Sequence, residues 1–156
     1  MNRVALILAT WFGCGYFPWG PGTIGSLAAI LISVLLHLFW FPHAGPLLEL
    51  VLCLALLVPS FWAAGQAAKL IGDKDPKIVV IDEVLGQWVT LLAALHFTWK
   101  TVLLGFVAFR VFDIWKPWPI RALERLPGGI GIVADDIGAG LYGTLILYIT
   151  GMLNIY

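Results

Sequence analysis

The sequence predicts an all-α fold, a polytopic membrane bundle of helices, from its composition, its apolar runs and the position of its charges. Of the 156 residues, 61% are hydrophobic and only 12% are charged, whereas soluble domains are about half apolar and about a quarter charged. The length corresponds to one domain, residues 1–156. The formal net charge is zero and no basic tail is present, so we expect no nucleic-acid partner.

The apolar runs predict about five short spanning helices, at residues 24–41, 47–65, 84–97, 101–112 and 137–153. A helix needs about 20 apolar residues to cross a hydrocarbon core of roughly 30 Å. Several of these runs are shorter, so they require a locally thinner bilayer or shielding by other helices. The last run is rich in glycine, which favours close packing against neighbouring helices.

Thr98, Trp99 and Lys100 divide the apolar stretch from 84 to 112 into two runs. A single long helix would place Lys100 near the centre of the membrane without a partner, which is costly. It would also separate the carboxylates of Asp82 and Glu83 from those that follow residue 112. We therefore predict a helical hairpin with its turn at 98–100.

The chain before the first span predicts a short interfacial helix followed by an irregular loop. The apolar run VALILATWF forms the helix, and its bulky Trp11 and Phe12 stand where a signal peptide would need small residues before cleavage. Residues 13–23, GCGYFPWGPGT, have the glycines and prolines of a loop. Thr23 or Ser26 is predicted to cap the helix that follows.

The hairpin places three loops on one side of the membrane, residues 13–22, 66–83 and 113–136. The other side receives the loops 42–46 and 98–100. The first side, with a water-exposed turn at 71–76, also carries most of the basic residues: Lys69, Lys74, Lys77, Arg110, Lys116, Arg121 and Arg125. Because Lys and Arg accumulate on the cytoplasmic side, we predict a multi-pass protein with this side inside.

The same side carries five carboxylates: Asp82, Glu83, Asp113, Asp135 and Asp136. A carboxylate cluster without His or Cys favours a hard cation, and Mg²⁺ needs only a few carboxylates together with water and phosphate oxygens. Nearby Lys and Arg side chains suit a phosphate dianion. This combination on a membrane scaffold predicts phosphoryl chemistry on a membrane lipid.

Three other interpretations of these charges stay open: a structural salt-bridge network, a small cation-coupled membrane transporter and a non-catalytic subunit of a membrane assembly. Transporters place ionisable groups near the bilayer midplane, often with internal repeats, whereas here the charges lie at helix ends and no repeat is visible. The histidines, His37, His43 and His96, are predicted on the opposite side, and Cys14 and Cys53 form no CxxC pair. Neither residue type therefore predicts a metal site.

Four blocks contain most of the unusual residues: GCGYFPWGPGTIGSL (13–27), DPKIVVIDEVLGQW (75–88), FRVFDIWKPWPI (109–120) and GGIGIVADDIGAGLY (128–142). In order and spacing they resemble the phosphatidylglycerophosphatase A family of bacterial lipid phosphatases. The resemblance implies a Mg²⁺-dependent enzyme that hydrolyses the terminal phosphate of phosphatidylglycerophosphate to give phosphatidylglycerol. It implies as partners this lipid and the bilayer, at the cytoplasmic face of the bacterial inner membrane.

The resemblance and the charge pattern together predict three sets of site residues. The predicted metal ligands are Asp82, Glu83, Asp135 and Asp136. The predicted catalytic residues are Asp82, Asp113 and Asp136. The predicted substrate-binding residues are Thr23, Lys77, Arg110, Lys116 and Arg121, the last at the second phosphate or the headgroup.

Overall fold

The computed structural model describes residues 3–40 and 45–156, and every regular element within them is a helix. The α-helices are α1 (Arg3–Ala9), α2 (Pro21–Leu35), α3 (Gly45–Ile71), α4 (Ile81–Leu91), α5 (Trp99–Trp115), α6 (Ile120–Leu123) and α7 (Gly129–Met152). A 3₁₀ turn at Cys14–Tyr16 precedes α2, and a π-helical turn at Leu36–Trp40 extends it. The all-α prediction is confirmed for these residues. His43 and most of the predicted connection at 42–46 lie outside the described residues.

Three helical segments are long and apolar enough to cross a membrane: Pro21–Leu38, Gly45–Ile71 and Gly129–Met152. The predicted number of about five spans is not confirmed. Two helices are present as predicted, but the break between them lies at residues 92–98 instead of 98–100, because α4 ends at Leu91 and α5 begins at Trp99 after a capping box on Thr98. However, α4 has only 11 residues, about 16 Å at 1.5 Å per residue, which is too short to span.

Helix α4 is the central helix of the bundle rather than a lipid-facing span. Nine of its residues are buried, and it packs against α2, α3, α5 and α7. The indole Nε1 of Trp88 donates a hydrogen bond to the carbonyl of Ala29 at 3.0 Å, which ties α4 to α2. Protein therefore surrounds α4 on most sides.

Glycines bring α4 and α7 into close contact, as the glycine-rich last run predicts. A Cβ atom on Gly86 would lie 2.6 Å from the carbonyl oxygen of Asp136, and one on Gly140 would lie 2.5 Å from the carbonyl oxygen of Gly86. The hydroxyl of Thr90 donates to the carbonyls of Gly86 and Gly140. This packing brings the first turn of α4 beside the second turn of α7, where the paired acids lie.

The predicted cap of α2 is wrong. Helix α2 begins at Pro21, with Gly20 before it in a left-handed conformation, so neither Thr23 nor Ser26 caps it. Proline suits the first helical position because it lacks the N–H that would be unpaired there. The predicted N-terminal helix is confirmed as α1, which packs against α3.

Candidate active site

A small cavity of about 240 Å³ forms where four helix ends and a loop meet. The first turns of α2 and α4 and the second turn of α7 reach it, together with the last turns of α5 and the loop before α4. Its lining contains nearly all of the predicted charged residues: Lys77, Asp82, Glu83, Arg110, Asp113, Lys116, Asp135 and Asp136. The structure therefore brings together charged residues that the predicted hairpin places on one side of the membrane.

Three carboxylates form a compact group within this cavity. Asp82, Glu83 and Asp136 each offer one oxygen, and these oxygens all lie within 4.8 Å of one another. One oxygen of each side chain (Oδ1, Oε2 and Oδ2 respectively) is buried without a hydrogen-bond partner in residues 3–40 and 45–156. Buried unpaired oxygens are costly, and an all-oxygen group of this kind suits a hard divalent cation. The residues present therefore fit Mg²⁺.

The other two acids are engaged with cations. The ammonium of Lys116 lies 2.5 Å from Oδ2 of Asp135, and Nη1 of Arg110 lies 2.7 Å from Oδ2 of Asp113. Arg110 is also 3.9 Å from Oε1 of Glu83, so it bridges the ion pair and the three-carboxylate group. The structure thus brings Asp135, a predicted metal ligand, into the cavity but pairs it with Lys116.

Burial shifts the protonation equilibria around the cavity. It raises the pKa of Asp82 to about 7, and the negative charges of Asp75 and Asp135 add to the rise. Burial and the neighbouring Asp82 also raise the pKa of Glu83 well above its usual value. Burial alone would lower the pKa of Lys116, but the bond to Asp135 outweighs it and raises this pKa. Unshielded negative charge is therefore unfavourable here, and a bound cation would relieve it.

Two predicted substrate-binding residues do not line this cavity. Thr23 lies one position beyond the stretch Gly20–Gly22 that reaches it. Arg121, on α6, lines a larger neighbouring cavity instead. Gly22 approaches Glu83 so closely that a Cβ atom would overlap the carboxylate, so the glycine-rich segment at the start of α2 reaches the site.

Asp75 was not predicted as a site residue, although it lines both cavities. Partial desolvation by the cavity walls, together with the charges of nearby acids, raises its pKa, and the charge of Lys116 opposes the rise. The IGDKDP segment predicts a water-exposed turn, and the turn is indeed exposed from 71 to 75. The available signal was the position of Asp75 at the start of the second block, seven residues before Asp82.

Comparison with known proteins agrees with this geometry. The family model described as "PgpA: Phosphatidylglycerophosphatase A" matches residues 7–150, which includes every helix end at the cavity. The chain belongs to the phosphatidylglycerophosphatase A family. It is accordingly a phosphatase, and a phospholipid substrate is implied. No solved structure gives a significant match to the chain.

Three curated relatives cover most of the chain. Phosphatidylglycerophosphatase A of Escherichia coli (strain K12) is 44% identical over 93% of this chain and 82% of its own length. Phosphatidylglycerophosphatase A of Haemophilus influenzae is 32% identical over 91% of this chain and 85% of its own length. A protein of Bacteroides thetaiotaomicron, provisionally named phosphatidylinositol-3-phosphatase, is 36% identical over 91% of this chain and 90% of its own length.

Proposed function

We propose that the protein hydrolyses the terminal phosphate of phosphatidylglycerophosphate to give phosphatidylglycerol, with Mg²⁺ bound, at the cytoplasmic face of the bacterial inner membrane. The observation that carries the proposal is the three-carboxylate group beside Arg110 and Lys116 in one cavity. Family membership supplies the reaction class, and the substrate follows the names of two of the relatives. A transporter or a non-catalytic subunit would not account for membership of a phosphatase family.

Asp82, Glu83 and Asp136 would hold Mg²⁺, because their oxygens are grouped, buried and unpaired among the described residues. When bound, the ion neutralises charge on the phosphoryl group and lowers the pKa of bound water. Asp135 adjoins this group and orients Lys116 through their ion pair. It remains a candidate ligand through water.

Cationic side chains around the carboxylates would bind the scissile phosphate. Arg110 and Lys116 are each oriented by an acid, Asp113 and Asp135 respectively, so their remaining N–H groups are directed before the substrate arrives. Lys77 lines the same cavity from the exposed loop before α4. The amides at the start of α2, at Gly22, face the cavity as a helix N-terminus does in many phosphate sites.

The net reaction breaks the bond between phosphorus and the lipid oxygen. Water supplies a hydroxyl to phosphorus and a proton to that lipid oxygen, so inorganic phosphate and the alcohol of phosphatidylglycerol are formed. We propose Asp113 as the acceptor of the proton from water, because it is the acid nearest the guanidinium that would hold the phosphate. Such proton transfer contributes roughly 10²–10⁴-fold to a rate.

The distribution of basic residues supports a cytoplasmic site. Of the nine Lys and Arg residues, only Arg3 and Lys100 lie away from the end of the bundle that carries the cavity. The start of α2, the end of α3 and the start of α7 all lie at that end. Lys and Arg accumulate on the cytoplasmic side of membranes, and this bias is the basis of the proposed orientation.

The proposal is tested by phosphate release from phosphatidylglycerophosphate by the purified protein in detergent, with Mg²⁺ and with a chelator. Release that requires Mg²⁺ supports it, and phosphatidylinositol 3-phosphate serves as the second substrate because one relative carries that name. Hydrolysis of only the inositol lipid would refute the substrate, and full activity in chelator would refute the metal. Orientation is tested separately by comparing maleimide labelling of Lys74→Cys and Lys100→Cys in sealed cells; labelling of Lys74→Cys from outside would refute it.

A further inference from the structure

A second cavity, of about 820 Å³, adjoins the small one. It lies between the end of α3 with its following turn and the segment from α6 to the start of α7. Asp75, Ile132 and Asp135 line both cavities, so a molecule bound in the small cavity has direct access to the large one. A bare phosphate ion is far too small to fill this volume.

The charges of the large cavity are arranged in two parts. Four cations, Lys69, Lys74, Arg121 and Arg125, line it and do not line the small cavity. Two of its acids, Asp75 and Asp135, line both cavities, and a third, Glu124, lies 3.9 Å from Lys116 of the small cavity. Apart from these three acids, the charged side chains of the wall are the four cations and Asp73.

These four cations also differ from the two that bind acids in the small cavity. Arg110 and Lys116 both form ion pairs. None of the four lies within 4.0 Å of a carboxylate oxygen in residues 3–40 and 45–156. Cations that line a cavity without such partners are available to an anionic ligand, and Arg in particular binds phosphate with two parallel hydrogen bonds.

We propose that the large cavity is the subsite for the phosphodiester of the substrate's headgroup, with Arg121 and Arg125 as its principal ligands and Lys69 and Lys74 as further positive charge. This inference rests on the proposed function. The lipid carries a monoester and a diester phosphate separated by one glycerol unit, so two adjoining anion sites are required. The apolar members of the wall, Leu126, Pro127 and Ile132, would contact the glycerol carbons.

The position of α6 agrees with headgroup depth. Arg121 and Arg125 also line a third cavity, beside Trp115 and Trp118 and separate from the small and the large cavity. Both of these tryptophans are largely exposed. Exposed tryptophans are typical of the membrane–water interface. The two arginines would therefore lie where the diester of a membrane lipid is found.

The test compares two substrates in neutral detergent micelles: phosphatidylglycerophosphate, and phosphatidic acid, whose single phosphate is a monoester. The measured quantity is kcat/KM for phosphatidylglycerophosphate divided by kcat/KM for phosphatidic acid. In Arg121→Ala, Arg125→Ala and the double variant we expect this ratio to fall about tenfold, mainly because KM for phosphatidylglycerophosphate rises. The reason is that each variant loses a charge-assisted hydrogen bond to the diester phosphate. Arg125→Lys should recover part of the ratio. Lys100→Ala, an exposed cation at the other end of α5, is the matched control.

The arms of the experiment separate the possible sources of the anion. An unchanged ratio, or an equal fall for both substrates, would overturn the subsite. A defect that appears only when phosphatidylglycerol is added to the micelles would indicate that the arginines bind a neighbouring lipid. If the variants only weaken inhibition by inorganic phosphate, the arginines form a site for a free anion. Either result would also overturn the subsite. If the wild-type protein releases no phosphate from phosphatidylglycerophosphate, the proposed function fails instead.

Discussion

Two regions of this protein contain buried carboxylate oxygens but give them different surroundings. Asp82, Glu83 and Asp136 lie at the small cavity, whereas Glu49 is fully buried inside the candidate span α3. Each has carboxylate oxygens without a hydrogen-bond partner among the described residues. The three acids share a cavity with two oriented cations. Glu49 lines neither the small nor the large cavity, and its ion-pair contact within residues 3–40 and 45–156 is with His37, at 3.9 Å.

The difference shows that burial of an acid does not by itself identify a functional site. What distinguishes the cavity is the convergence of several acids on one point together with Arg110 and Lys116. Nδ1 of His37 is hydrogen-bonded to the carbonyl of Ser33 at 2.8 Å, so its proton is not directed at Glu49. The same acid-to-amide substitution should therefore lower activity strongly at the cavity and hardly at all at Glu49.

The largest expected effect is on activity when the three-carboxylate group is altered. Asp82→Asn and Asp136→Asn should each lower kcat/KM by more than about a hundredfold, because loss of outer partners of a metal site alone costs roughly 10- to 100-fold. Glu49→Gln should keep activity within about twofold. Phosphate release under saturating Mg²⁺ measures all three.

The stability of the same variants provides an independent control. Mg²⁺ should raise the unfolding temperature of the wild type and of Glu49→Gln, because a ligand that binds only the folded state stabilises it. It should not raise that of Asp82→Asn or Asp136→Asn. A normal Mg²⁺ response in both aspartate variants would mean that the ion binds elsewhere.

The next effect tests the packing that brings the acids together. In Gly86→Ala the new methyl would meet the ring of Phe109 and the carbonyl oxygen of Asp136, which should destabilise the fold by about 1–3 kcal/mol and lower kcat of the folded fraction. In Gly45→Ala the new methyl would meet the ring of His37 in the other region. That variant should lose stability without a change in kcat, and equal loss of kcat in both would contradict the comparison.

Lys116 offers a smaller and sharper test. It ends α5 with a φ of 46°, a left-handed conformation that favours glycine, and its ammonium binds Asp135. Both Lys116→Ala and Lys116→Gly should lower kcat/KM about tenfold, as expected for loss of a charge-assisted bond to phosphate. Lys116→Gly should be the more stable of the two in thermal unfolding, and the reverse order would argue against backbone strain at this residue.

The sequence predicted the members of the site better than their division of roles. Charged residues are so rare in an apolar chain that Asp82, Glu83 and Asp136 were evident, and the hairpin brought them to one side. The pairing of Asp135 with Lys116 was not predicted, because neighbouring residues on a helix point about 100° apart and only the packed structure shows which of them faces which partner. Asp75 was missed because an exposed turn gives no periodic signal.

The number of spanning helices could not be predicted from the sequence for a related reason. An apolar run such as residues 84–97 has the same composition whether lipid or protein surrounds it. Helix α4 is surrounded by protein because it contacts α2, α3, α5 and α7. These contacts join residues that are far apart in the sequence, so no local pattern predicts them. The start of α5 at Trp99 followed from the polar interruption at 98–100, which is local, whereas the end of α4 at Leu91 lies six residues before the predicted end at 97.

The smallest expected effect is on stability when Glu49 becomes Gln. The amide has nearly the shape of the carboxyl group, so the packing of α3 is kept, and the long contact of 3.9 Å with His37 leaves little ion-pair energy to lose. The unfolding free energy should change by less than about 1 kcal/mol, measured by thermal unfolding in detergent. Glu49→Leu is the more informative variant, because it removes the unpaired oxygens. Its unfolding free energy should be equal to that of the wild type or higher. A large loss in both variants would show that Glu49 has a polar partner that the structure does not provide, and the contrast with the cavity acids would then disappear.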